Sequence, residues 1–272
     1  MMLELGEPFA TLWQGRDVFA EVDRLEGETY RALEGRRTFR TLVNGEGFFV
    51  KVHKGVGWGE ILKNLASLRM PVIGARNEWQ ALTRLSAQGV TVPVPVAFGV
   101  RGNNPAQQES FIITRELTPV IDLDVLTHQW LEQPVSAVVR RRLIHRVASM
   151  TRDMHAAGIN HRDCYLCHFL LVGDVATAME DGFAGTHLID LHRARYRQPV
   201  PARWRIKDIS GLYFSSLHMK LSRADIFRFL RTYYARPLRE VLATAGPELA
   251  RIERKAQRTL RHHLKHHAGS AP

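Results

Sequence analysis

Cysteine is scarce. Cys164 and Cys167 are the only two in 272 residues, too few for a disulfide framework. Long apolar runs are also missing, since nothing approaches the ~18 residues of a membrane-spanning helix. The longest stretch without charge, Leu85 to Val100, is interrupted by Gln88, Pro93 and Pro95. The opening Met1 to Glu7 carries neither the basic region nor the apolar block of a secretory signal, so a cytoplasmic protein is expected. Internal repeats and low-complexity tracts are absent apart from a basic, His-rich end. A composition of 45% hydrophobic and 24% charged residues, with 12 Pro and 20 Gly, excludes disorder, collagen and simple coiled coil. The length suffices for one large unit or two modest lobes. Acid is in short supply: 38 Lys and Arg face 27 Asp and Glu, giving a net charge of +11. Residues 1–50 hold six Arg and nine acids, so the positive excess belongs to the remainder. Such a chain attracts anions, whether nucleic acid, phosphorylated lipid, acidic protein or charged metabolite.

The elements are read from periodicity. Short strands come first, at Thr29–Leu33, Thr38–Val43 and Phe48–His53. A turn at Glu34-Gly35-Arg36 joins the first two, and Asn44-Gly45 joins the next pair as a type I′ hairpin turn. Lys51 stands alone among apolar neighbours on the third strand. A helix over Ala75–Gln88 carries Trp79, Leu82 and Leu85 on one stripe, with Glu78 beside it. Two more strands follow at Val90–Val100 and Ser110–Arg115. Pro93 and Pro95 place the first of these at a sheet edge or in a loose extension. After Pro119 the texture is helical, with Val139, Leu143, Val147 and Met150 spaced along Ser136–Ala157. The fold class expected is α+β: a strand-rich N-terminal lobe over 1–118 and a helical C-terminal lobe over 119–272.

The most informative segment is Asn160-His161-Arg162-Asp163-Cys164-Tyr165-Leu166-Cys167-His168-Phe169-Leu170-Leu171-Val172. It admits three readings. His161, Cys164, Cys167 and His168 are all zinc-ligand types, although no second Cys pair completes a structural site. Cys164 to His168 fits the C-x-x-C-H haem attachment pattern, which belongs to exported proteins. The third reading is phosphoryl transfer. His161-Arg162-Asp163 precedes an apolar strand, and His187-Leu188-Ile189-Asp190 ends a second apolar run in a carboxylate. One carboxylate suits accepting the proton of an attacking hydroxyl; the other suits holding Mg²⁺ against a triphosphate. Lys51 on a strand, Glu78 on a helix, Asp163 and Asp190 then follow in kinase order.

Asn160 to Leu171, together with Leu188-Ile189-Asp190-Leu191-His192-Arg193-Ala194, closely resembles the lipopolysaccharide core heptose kinases, small bacterial members of the protein-kinase-like superfamily. The resemblance spans roughly Thr29 to Leu230. It implies a two-lobed protein-kinase-like fold with nucleotide binding in the first lobe. The implied activity is ATP- and Mg²⁺-dependent transfer of a phosphoryl group to a hydroxyl of the first inner-core heptose. Lys51 then matches the lysine that pairs with ATP phosphates, and Glu78 the glutamate that orients it. Asp163, with Arg162 beside it, matches the catalytic base, and Asp190 the magnesium carboxylate. His161 and Asp208 have supporting roles, Asp208 bracing the catalytic-loop backbone. Three features depart from the general kinase pattern. His168 stands where a magnesium-binding Asn is expected, and contact with a phosphate suits it better than Mg²⁺, which prefers oxygen. Leu191-His192 replaces Phe-Gly after Asp190. The glycine-rich loop shrinks to Glu34-Gly35-Arg36-Arg37, where Gly35 and an arginine, Arg36 or Arg37, are left to cover the phosphates.

Charge narrows the acceptor. Arg193, Arg195, Arg197, Arg203, Arg205 and Lys207 succeed one another without an acid. Such a surface repels a cationic aminoglycoside and draws a carboxylated, phosphorylated glycolipid. Arg193, Arg195 and Arg197 are accordingly the candidate substrate contacts. No Ala-Pro-Glu segment marks a peptide kinase. The tail from Arg251 to Pro272, with six cations and one acid, suits the anionic face of the inner membrane or a small acidic protein. No nucleic-acid reading module or aromatic platform appears. Two alternatives stay open: a kinase of the same fold for another lipid-linked or small sugar, and a non-catalytic binder of anionic glycolipid.

Overall fold

The computed structural model describes residues 1–33, 35–55, 57–66 and 74–267. Glu34 of the first turn and residues 268–272 of the tail lie outside them. The chain divides into two compact units, one of Met1–Ser86, Pro93–Leu117 and Leu191–Arg193, the other of Ala87–Val92, Thr118–Asp190 and Ala194–Pro272. The expected α+β class holds, with strands concentrated in the first unit and helices in the second.

The first unit contains β1 (Met2–Leu5), α1 (Phe9–Leu12), α2 (Val18–Arg24), β2 (Glu28–Leu33), β3 (Arg36–Val43), β4 (Glu46–Lys54), α3 (Gly57–Ala66), α4 (Arg76–Ala87), β5 (Pro95–Arg101) and β6 (Glu109–Arg115). Its antiparallel sheet runs in the order β1-β5-β6-β4-β3-β2. Asn44 and Gly45 both take positive φ, 53° and 82°, as the hairpin signal between β3 and β4 requires. Cross-strand partners share a face. Phe39, Val50, Ile113 and Ala97 form one such row. They are buried with Phe9, Trp13 and Phe19, and Phe9 meets Phe48 edge-on at 5.0 Å. The row Lys51, Ile112 and Phe98 lies on the opposite face. There α4 packs, with Trp79 stacked on Phe98 at 5.1 Å. The alternation that buries Phe48, Val50 and Val52 therefore aims Lys51 at a helix.

One expectation holds only in part. Residues 90–94, with Pro93, are an extension outside any strand, but β5 from Pro95 onward is an interior strand between β1 and β6, not an edge. Pro95 opens the strand, where no ladder N–H is needed, and a register irregularity separates it from Ala97. β1, too short for its alternation to stand out, takes the edge.

The second unit contains β7 (Val120–Asp122), α5 (Leu123–Glu132), α6 (Ala137–Ala156), β8 (Ile159–Asn160), β9 (Phe169–Val172), α7 (Val175–Asp181), β10 (Thr186–Leu188), β11 (Arg195–Tyr196), α8 (Ala202–Ser215), α9 (Arg223–Tyr234) and α10 (Leu238–His267). Two small sheets, β10-β9-β7 and β11-β8, carry the motif segments. α6 starts at Ser136, whose hydroxyl accepts from the Val139 N–H, and buries Leu143, Val147, Met150 and Met154. Ala148 of α6, Ile206 and Ile209 of α8, Tyr233 of α9 and Ile252 of α10 form the helical core. An apolar cavity of about 390 Å³ opens among α6, α8, α9 and α10, lined by Val147, Leu212, Phe229 and Ile252 among others. Among the described residues, no helix is long and apolar enough to cross a membrane.

Candidate active site

In the first unit, Lys51 donates from Nζ to Glu78 Oε1 at 2.6 Å. Glu78 is only 4% exposed, and its Oε2 has no hydrogen-bond partner. A buried carboxylate persists because it is paired; here the pair fixes the lysine's direction across the sheet face. Gly35 takes φ +71°, and a Cβ there would stand 2.4 Å from the Gly55 carbonyl oxygen. The turn is thus drawn against β4, and the Lys54 N–H donates to Gly35 O at 2.8 Å. Arg36 begins β3 opposite His53. Arg37 turns elsewhere, donating to Leu25 O at 2.9 Å with its guanidinium over Phe39.

His53, on the same strand as Lys51, is buried with Nδ1 unpartnered. Burial first, then the positive charges of Arg36, Lys51 and His192, push its pKa down to about 4. The unfolded chain binds this proton more readily. The stabilisation is therefore complete above the unfolded value near 6.5 and is lost as pH falls toward 4. The full shift corresponds to about 3 kcal/mol. His53→Leu should flatten this part of the stability curve, read as urea midpoints between pH 7 and pH 4; parallel curves for variant and wild type would refute the assignment.

In the second unit, α6 ends against Gly158, whose φ of +79° turns the chain into β8. A Cβ at Gly158 would lie 2.5 Å from Gln198 Oε1, so glycine is needed on steric as well as conformational grounds. The loop after β8 is held from beneath by Asp208 of α8, which is 0% exposed. Its carboxylate accepts from the N–H groups of His161 at 2.8 Å and Arg162 at 2.7 Å. His155 Nε2 also reaches it at 3.2 Å. The Tyr233 hydroxyl, kept protonated by burial, lies 2.8 Å from His155 Nδ1. α8 can approach this closely because Gly211 faces the Cys164 carbonyl oxygen, where a Cβ would come within 2.7 Å.

These bonds hold Arg162 at φ +77°, and Asp190 adopts φ +59°. Two non-glycine residues in the left-handed region, each inside a motif, mark positions where backbone strain of about 1–3 kcal/mol is retained. His161, fully buried with its pKa lowered chiefly by that burial, donates from Nε2 to Ile189 O at 3.0 Å. It ties the loop to the run that ends in Asp190. His168 stacks on His161 at 5.3 Å and donates from Nδ1 to Asp163 O at 2.6 Å. Its Nε2 stands 3.6 Å from Asp190 Oδ2, so one imidazole lies against both the Asp163 backbone and the Asp190 carboxylate.

The zinc grouping does not assemble. Cys164 is buried, Cys167 is exposed, and burial raises both thiols above their ordinary range. Among the described residues, Asp124, His128 and His218 are the one set with ligand atoms close enough for an ion, all within 4.8 Å, and neither cysteine belongs to it.

The basic run is not uniform. Arg193 belongs to the first unit and Arg195 to β11 of the second. Arg197 donates to Asn160 Oδ1 at 2.6 Å. Arg205 is structural, bonded to Val200 O and Glu248, both at 3.0 Å. Lys207 Nζ lies 3.9 Å from Asp163 Oδ1, a neighbour that the sequence counts only as one charge in a run. His155 and Tyr233 are likewise invisible as site residues in the sequence, since both read as helix positions.

Carboxylates on a braced loop and after a strand, and a lysine paired with a glutamate, are side-chain types that phosphoryl transfer uses. The family model described as "Lipopolysaccharide kinase (Kdo/WaaP) family" matches residues 20–233. The chain is 53% identical over 258 residues to a lipopolysaccharide core heptose(I) kinase WaaP of Pseudomonas aeruginosa, covering 95% of this chain and 96% of that protein. It is 51% identical over 257 residues to the protein of that name from Escherichia coli K12, covering 94% and 96%. A solved structure described as WaaP in complex with acyl carrier protein superposes with a TM-score of 0.83 at 49% identity, covering 95% of this chain and 99% of that one. The chain belongs to the lipopolysaccharide kinase (Kdo/WaaP) family and is a phosphotransferase.

Proposed function

We propose that the chain transfers the γ-phosphate of ATP to a hydroxyl of the first heptose of the lipopolysaccharide inner core. The observation that carries this reading is 53% identity over 95% of the chain to a heptose(I) kinase. Residues 1–118 bind the nucleotide, while 119–272 supply the base, the metal carboxylate and the acceptor surface. Lys51, oriented by Glu78, engages the ATP phosphates, and the Gly35–Arg36 turn covers them. Asp163 accepts the proton of the heptose hydroxyl as its oxygen attacks. Arg162, His161 and Asp208 hold that carboxylate in place, and His168 fixes its backbone from the other side. Asp190 offers the hard oxygen donor that Mg²⁺ prefers, and the bound ion would offset phosphate charge. Arg193, Arg195 and Arg197 face the anionic acceptor.

The basic tail supports docking at the cytoplasmic face of the inner membrane, each cation contributing about 1 kcal/mol near an anionic leaflet. A small acidic protein is the proposed protein partner, supported by the related WaaP solved with acyl carrier protein.

Acceptor-dependent ADP release tests the reading. Heptose-containing core glycolipid should stimulate release, whereas free sugars and aminoglycosides should not; stimulation by an aminoglycoside alone would reassign the acceptor. Lys51→Met should raise the KM for ATP about 10- to 100-fold, the loss expected for charge-assisted bonds to phosphate. It also leaves Glu78 buried without its cation. Lys51→Met combined with Glu78→Gln should therefore recover stability without recovering ATP affinity. Equal ATP affinity in wild type and variants would exclude Lys51 from the nucleotide site.

A further inference from the structure

Three guanidinium groups converge on one indole in the second unit. The central guanidinium carbons of Arg197, Arg162 and Arg203 stand 5.0, 5.2 and 5.4 Å from the Trp204 ring centroid. A single cation over an aromatic face is favourable by about 0.5–1 kcal/mol at exposed sites. Arg197 also meets like charge, its pKa lowered by burial and then by the charges of Arg195 and Arg203.

Local helix chemistry points the same way. Arg203 lies in the first turn of α8, which carries no acid and has no side-chain cap. The positive end of a helix dipole favours anions and disfavours a cation there.

Hydrogen-bond donors are also left over. Asn160 is fully buried, and its Oδ1 accepts from Arg197 while its Nδ2 has no partner. The Trp204 Nε1 is buried and has none either. Buried N–H groups in native proteins are almost always satisfied, so these two unpartnered donors beside clustered arginines call for a ligand made of acceptors. Arginine forks match phosphate and carboxylate oxygens in particular.

We propose that Arg162, Arg197 and Arg203, with the N–H groups of Asn160 and Trp204, form an oxyanion subsite that takes a phosphate or carboxylate of the acceptor glycolipid. Arg162 precedes Asp163 in the chain, and Asn160 pairs with Arg195 across β8 and β11. An anion held here registers the acceptor beside the loop that carries the base, and an acceptor without one binds poorly. The choice of acceptor as the anion's source rests on the heptose kinase reading; the subsite itself does not.

Two measurements test this. The first titrates inorganic phosphate into the full chain and follows tryptophan emission, with Trp204→Phe identifying the responsive ring. Wild type should respond, and Arg197→Gln/Arg203→Gln should not. No Trp204-dependent change, or one that survives in the double variant, overturns the subsite. Circular dichroism of the variant guards against misfolding. The second compares the core glycolipid with the same glycolipid stripped of phosphate and carboxylate. Stripping should raise the wild-type acceptor KM about 10- to 100-fold, the worth of one or two bonds to a charged group. Arg203→Gln should raise the KM of the intact acceptor similarly, leave the KM for ATP unchanged and erase the difference between the acceptors. Equal wild-type KM values for both acceptors, with phosphate still bound, would make the source a free anion and overturn the acceptor assignment. If neither glycolipid is phosphorylated, the heptose reading fails, and the phosphate titration still decides the subsite.

Discussion

Asp163→Ala is expected to slow phosphoryl transfer by about 10²–10⁴-fold, the range over which a positioned general base acts. ATP binding should survive. The carboxylate is partly accessible, and the loop around it is held by other groups. Its backbone carbonyl accepts from His168, and its neighbours His161 and Arg162 are bonded to Asp208. Removing the side chain therefore removes chemistry without removing the scaffold. Lys207, 3.9 Å away, loses an ion-pair partner near the surface, which is a small effect on stability. Single-turnover phosphorylation with saturating ATP measures the step, and nucleotide binding measured alongside separates it from affinity. A variant with wild-type turnover would remove Asp163 from the role of base.

Asp208→Ala should be the most destabilising substitution in the loop's support. Its carboxylate is wholly buried and serves three donors, the N–H groups of His161 and Arg162 and the imidazole of His155. Each donor left without an acceptor costs about 1–3 kcal/mol. Breaking a buried charged network of this kind costs about 3–5 kcal/mol in all. The damage is also local. Arg162 holds a left-handed conformation that one of these bonds secures, so the loop should relax and transfer should fall with stability. Asp208→Asn keeps the volume and one acceptor oxygen but turns an amide N–H₂ toward donors; it should be intermediate. Denaturant midpoints and kcat on the same preparations read both effects. A stability change within about 0.5 kcal/mol, the range of an ordinary surface substitution, would show that the loop is braced elsewhere.

Strong local signals are legible in the sequence. The Asn44-Gly45 hairpin, the strand carrying Lys51 and the helix carrying Glu78 follow from turn chemistry and periodicity, because one short window decides each. The ion pair between Lys51 and Glu78 crosses 27 residues and could be anticipated only from resemblance. β1 was hidden because four residues give too little alternation to count, and its capture of the sheet edge moved β5 inward. His155, Tyr233 and Lys207 sit 53, 25 and 1 residues from Asp208, and nothing along the chain marks the first two as its neighbours in space. Surplus is hardest to read. A run of arginines looks like a solvated face until their convergence on Trp204 and the unpaired N–H groups beside them are seen.

Mass spectrometry of purified core glycolipid after incubation with the chain, ATP and Mg²⁺ bears most directly on the central claim. The glycolipid should gain one phosphate, localised by fragmentation to the first heptose, in wild-type reactions, and do so about 10²–10⁴-fold more slowly in those of Asp163→Ala. An unchanged glycolipid mass with folded, ATP-competent protein, or a phosphate placed on another sugar, would contradict it.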